Sequence, residues 1–106
     1  MLEFAGGNRM LTWRHMKDLG FREGLSGTKY IRDAVNYILS QPDTYDPVLT
    51  RDVYVVVGGR YGKTWVQVER CIRHAIERCE SAAFSGKTKD VIMELVQRCR
   101  EGEFTA

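Results

Sequence analysis

Proline is nearly missing from this chain: Pro42 and Pro47 are the only two, and both fall in the stretch SQPDTYDP. That stretch reads as a loop, and the rest of the chain is left open to helix. Cysteine is scarce too, with Cys71, Cys79 and Cys99 at no metal-ligand spacing. The count is odd and MLEFAGGNRM has no apolar export signal, so they read as reduced thiols in a cytoplasmic protein. A metal site built from Cys71, Cys79 and His15 has no spacing to support it, and no cofactor or metal is expected. Long apolar runs are absent: none approaches the ~20 residues that cross a bilayer. Repeats and low-complexity tracts are lacking as well. A hydrophobic content of 43% with 28% charge is that of a globular chain and rules out a disordered tail.

What is present is one small domain of 106 residues, long enough for a single core. Residues 1–8 read as a flexible N-terminal extension. The net charge of +2 is unremarkable, but its distribution is uneven. Residues 1–50 carry six basic and six acidic side chains, whereas residues 60–78 carry five basic against Glu69 and Glu77. The excess of three positive charges in one short segment points, modestly, to a polyanion.

Apolar spacing predicts an all-α domain, a compact bundle of about five to six short helices. The first runs from about Arg9 to Leu19 and is stopped by Gly20. The second opens at Ser26 or Thr28 as cap, runs to about Ser40, and shows a face of Ile31, Ala34, Val35 and Ile38. Residues 51–61, RDVYVVVGGRY, are in conflict: three consecutive valines favour a strand at 52–57, while the surrounding pattern favours helix. The best-specified helix runs from Trp65 to about Glu80, capped by Thr64. Its apolar stripe is Trp65, Val68, Ile72, Ala75, Ile76 and Cys79, with Trp65 read as a core anchor. The strip SAAFSGK is a loop, and a last helix covers about Thr88 to Glu101.

The span from about 52 to 80 meets the demands of a helix-turn-helix, in which two helices cross steeply at a short turn. A small residue, Gly58, lies where the helices approach. Gly62, four positions later, tolerates the left-handed conformation that ends the first helix. Thr64 opens the second helix, and Val57, Tyr61, Val68 and Ile72 supply the inner faces. Tertiary packing of this kind overrules the valine preference, because propensity differences are only a few tenths of a kcal/mol per residue. The second helix then presents Val66, Gln67, Glu69, Arg70, Arg73 and His74 outward. Arginine pairs with guanine, glutamine with adenine, and glutamate accepts from cytosine. Arg60, Lys63, Thr64 and Arg78 are the candidate phosphate contacts, helped by the positive end of the helix.

VERCIRHAIE, Val68–Glu77, resembles the signature of the C-terminal DNA-binding domain of the stage-zero sporulation protein A family of response regulators, which has Ala at the position of Cys71. LGFREGLSGTKYIRDAV, Leu19–Val35, resembles the opening helices of the same domain, and Val53-Tyr54 stands where the family has Leu-Tyr. The likeness spans roughly Leu19 to Glu80. It implies a helical effector domain that binds double-stranded DNA, with Glu69, Arg70, Arg73 and His74 at the base-contacting positions. It further implies tandem or homodimeric binding and contact with an RNA polymerase sigma factor. The chain departs from the family at Val55-Val56 (Pro-acidic there), at Gly58 (Ala there), and across Lys63–Gln67.

Two other readings stand beside this one. The first is a protein-interaction module that keeps the fold without reading DNA. The second is a nucleotide-binding protein built on GGRYGKT. Only three residues separate Gly58 from Gly62, one fewer than a phosphate-cradling loop needs, so this motif is incomplete. No catalytic residue is expected.

Overall fold

The computed structural model describes residues 9–79 and 87–105, all helix and connecting turns with no strand among the described residues. Its helices are α1 (Arg9–Asp18), α2 (Ser26–Leu39), α3 (Tyr54–Tyr61), α4 (Trp65–Glu77) and α5 (Thr88–Thr105). A single wide π turn, Leu49–Val53, leads directly into α3. The sequence-expected extension at 1–8 and most of the SAAFSGK strip lie outside the described residues.

Gly20 ends α1 as its spacing predicts. Its φ is 90°, and two backbone bonds close the end: Gly20 N–H donates to Lys17 at 3.0 Å, Phe21 N–H to Met16 at 3.1 Å. This is the Schellman arrangement, and Phe21 and Met16, the residues it pairs, are both buried. The expected cap of α2 is not found. Leu25 occupies the cap position without a side-chain bond, and Thr28 instead donates its hydroxyl to the Arg22 carbonyl at 2.6 Å. The connection GFREGLSG is thus held by a buried threonine from inside the helix.

α2 is the axis of the domain. Tyr30, Ile31, Ala34, Val35 and Ile38 are buried, and α1, α3, α4 and α5 all pack on it. The buried set from the other elements includes Met16, Val53, Tyr54, Val57, Val68, Ile72, Ile92, Leu95 and Val96. One approach had no apolar signal in the sequence. A Cβ added to Gly27 would lie 1.9 Å from the Cys71 carbonyl oxygen and 2.8 Å from the Ala75 side chain. Only glycine lets the start of α2 cross the middle of α4 at that distance.

The conflict at 51–61 resolves as helix. Val53 and Val57 are buried while Val55 and Val56 face solvent, a division that helical spacing produces and that hides only one side. The Asp52 carboxylate accepts from Val48 N–H at 2.8 Å and from the neighbouring Arg51 at 3.1 Å, closing the π turn. Those bonds, the one from Arg51 first, hold the Asp52 carboxyl below its ordinary pKa.

Candidate nucleic-acid interface

Two helix ends build the turn between α3 and α4. Gly62 adopts φ 67°, ψ 34°, the left-handed conformation, and its own N–H and that of Lys63 (2.8 Å) both return to the Gly58 carbonyl. A Cβ on Gly58 would meet the Lys63 carbonyl oxygen at 2.3 Å and a Val68 methyl at 3.4 Å. The close approach predicted at Gly58 is therefore real, and it is made with the turn backbone as well as with α4. Thr64 caps α4 in full: its hydroxyl accepts from Gln67 N–H at 3.2 Å, and the Gln67 side-chain oxygen accepts from Thr64 N–H at 2.9 Å. The Thr-x-x-Gln spacing of this reciprocal box was present in the sequence.

α3 is anchored to α2 by a polar cluster that the sequence reading did not find. Asp33 of α2 is 3% exposed. It accepts the Tyr61 hydroxyl proton, and Arg60 lies 3.5 Å and Arg32 3.8 Å from its oxygens. The Tyr61 ring packs on Tyr30 at 5.1 Å, with the Lys29 ammonium 4.5 Å from its centroid. Burial, reinforced by the Asp33 carboxylate, pushes the Tyr61 phenol up to about 12. Tyr54, at the opposite end of α3, is buried beneath α4. Its phenol is also pushed well up, chiefly by burial and then by Glu69.

With α3 fixed in this way, α4 turns Val68, Ile72 and Ala75 into the core. Its opposite side forms a shallow groove lined by Val66, Glu69, Arg70, Arg73, His74 and Glu77. Four of the predicted base-contacting residues, Glu69, Arg70, Arg73 and His74, thus share one surface. Arg70, Arg73 and His74 are exposed, and Arg73 pairs with Glu69 at 3.4 Å while its side chain keeps 64% of its accessible surface. Lys63 and Arg78 are exposed at the two ends of α4.

Four residues are placed or engaged in ways the sequence did not announce. Trp65 is not a core anchor: it is 42% exposed at the first position of α4. Gln67, expected at an adenine, has its side-chain oxygen engaged in the cap, and bidentate pairing with adenine needs that oxygen as well as the amide N–H. Arg60, expected at a phosphate, is half-buried and turned toward Asp33. Thr64, likewise named for a phosphate, has its hydroxyl oxygen accepting from Gln67 N–H within the cap, a bond that does not use its O–H as donor.

The GGRYGKT segment is the end of one helix, a turn and the start of the next, not the strand, loop and helix of a phosphate-cradling site. Cys71, Cys79 and Cys99 are free thiols. Among the described residues no group of His, Cys, Asp and Glu is placed to hold a metal, and no helix is long and apolar enough to cross a membrane.

A second, larger groove was not foreseen. It lies between the π turn, α4 and the start of α5, and brings Lys87 and Lys89 near Thr50, Tyr54 and Arg73. Neither lysine stands in the basic segment that the charge count singled out.

No solved structure matches the chain. The family model described as sporulation initiation factor Spo0A C terminal matches residues 12–103, which takes in α2 through α4, both glycine-closed helix ends and the whole outward face of α4. The fold, the turn and the match agree: the chain belongs to the Spo0A C-terminal family, the DNA-binding domain of the sporulation initiation factor.

Proposed function

We propose that this domain is a sequence-specific, cytoplasmic transcription regulator that places α4 in the major groove of DNA. One observation carries the reading. Glu69, Arg70 and Arg73 line an outward groove of a helix whose other side sends Val68, Ile72 and Ala75 into the core, next to a turn closed at both ends by its own hydrogen bonds. A helix held so rigidly can present a guanidinium to a base edge without a large ordering cost.

In this arrangement Arg70 and Arg73 read bases. Glu69 orients Arg73 through their ion pair and offers its second oxygen to a cytosine amino group. His74 lies on the same surface, one step further along. Lys63 and Arg78 meet phosphates at either end, and the amide groups opening α4 add their partial positive charge. Arg60 acts through Asp33, holding α3 so that the turn points correctly. Binding to tandem sites and contact with a sigma factor belong to the same reading, as family traits.

Selection of bound DNA from a random pool tests this reading. A single enriched box, bound with a log–log salt slope of about −3 to −5, is the expected result for three to five neutralised phosphates. Recovery of no preferred sequence at low salt would overturn it, and would favour the protein-interaction module instead.

A further inference from the structure

Val66 stands out on the reading surface because nothing in the fold uses it. It is 42% exposed and belongs neither to the buried core nor to the partly buried residues packed against it. The cap of α4 is made by its neighbours Thr64 and Gln67. Valine is also a poorer helix former than alanine, so local helix stability does not call for it. A single exposed valine is ordinary on a protein surface. This one, however, shares its groove with Glu69, Arg70, Arg73, His74 and Glu77. Positions 66, 69, 70, 73 and 77 recur at three and four, one continuous line along α4 with a hydrocarbon at its N-terminal end.

We infer that Val66 is a specificity-determining residue that contacts the C5-methyl group of a thymine. The inference rests on the DNA-reading role proposed above and deepens it. In a helix docked in the major groove, the N-terminal residues reach the base edges. Apart from the small C5–H edge of cytosine, every major-groove feature there is a hydrogen-bond donor or acceptor except the thymine methyl, the largest apolar group an isopropyl side chain can cover without stripping water from a polar atom. Trp65, equally exposed, lies off this line. The arginines in the groove make a nucleic acid a better occupant than an apolar protein surface, which would have to bury both guanidinium groups. Val66 and Arg70 are four residues apart, about 6 Å along the helix axis, or one to two base-pair steps of about 3.4 Å. The thymine therefore stands within about two steps of the base pair that Arg70 reads.

Deoxyuridine substitution removes the methyl and nothing else. Each thymine of the selected box is replaced in turn, and affinity is measured by fluorescence anisotropy at fixed salt with the wild-type chain, with Val66→Ser and with Arg70→Ala. One thymine near the base pair that Arg70 reads should lose about fourfold in affinity on replacement, the value of one buried methyl-sized group. Val66→Ser should bind the thymine box about as weakly and become indifferent to the replacement, whereas Arg70→Ala should keep the difference. Circular dichroism confirms that each variant is folded, and Val66→Ala serves as the second, milder truncation. A box that contains thymine but ignores every replacement would overturn the inference while leaving DNA reading intact. So would a methyl effect that persists undiminished in both Val66 variants. Failure to enrich any box would overturn the inference together with the reading beneath it.

Discussion

The Tyr61 hydroxyl, at the last residue of α3, donates to the Asp33 carboxylate of α2, twenty-eight positions earlier in the chain. The bond ties the residue before the Gly62 turn to the central helix. Tyr61→Phe removes one hydrogen bond and leaves Asp33 with its arginines, so it should lower stability by about 1 kcal/mol. Asp33→Ala removes the carboxylate that both Arg60 and the phenol address, and should cost more than Tyr61→Phe, about 2–3 kcal/mol in urea unfolding. Equal losses in the two variants would show that the arginines contribute nothing.

The same tyrosine gives the domain an alkaline limit. Its pKa is raised from 10.0 to about 12, so the folded state holds a proton that the unfolded chain releases earlier. The stabilisation is complete below pH 10 and is lost as pH rises toward 12. Tyr54 is shifted in the same direction, first by burial. Unfolding free energy should therefore fall between these pH values, and Tyr61→Phe should flatten the slope. An unchanged slope in that variant would assign the limit to the other tyrosines shifted upward by burial, Tyr54, Tyr30 and Tyr45.

Glycine positions separate three physical demands. Gly27→Ala drives a Cβ into the Cys71 carbonyl at 1.9 Å, so α2 and α4 must part. A loss of about 3 kcal/mol or more is expected, at the severe end of overpacking. Gly62→Ala meets no neighbour but must hold φ 67°, a strain of about 1–2 kcal/mol. Gly59→Ala meets neither difficulty, sits exposed within α3, and should stabilise the domain by about 0.5–1 kcal/mol. Thermal melts of the three variants check the order.

On the selected DNA box, Arg70→Ala and Arg73→Ala should each weaken binding by about 1–3 kcal/mol, with a smaller loss on random DNA. Glu69→Gln should fall between them and wild type, since it releases Arg73 from its pair at 3.4 Å. Equal losses on both DNAs would mean that these arginines meet phosphates.

Much of this was legible from residues alone. Gly20 and Gly62 announced helix ends because a left-handed residue turns the chain back on a helix and closes it with backbone bonds, and both carry positive φ. Val68, Ile72 and Ala75 announced the inner face of α4 by spacing. Trp65 misled because its size suggested burial, although the first residue of a helix lies where the chain has only just turned inward. The role of Gly27 was invisible because it depends on a backbone carbonyl more than forty positions away. Asp33 was hidden for a related reason: in sequence it is one charge on a helix beside Arg32, and only the packing of α3 brings Arg60 and a phenol to it. Gln67 and Arg60 have the chemistry expected of DNA contacts, but a local cap and a buried carboxylate engage them first.

The capping box and the left-handed glycine make the hinge self-sufficient, since the amides of Gly62, Lys63, Thr64 and Gln67 find partners within a few residues. Substitutions at Val66, Arg70, Arg73 and His74 consequently leave the scaffold untouched, and α4 behaves as an exchangeable cassette. With α4 reading bases as proposed above, a lineage carrying this domain can drift from one operator to another by altering four side chains, with little penalty in folding at any intermediate along the route.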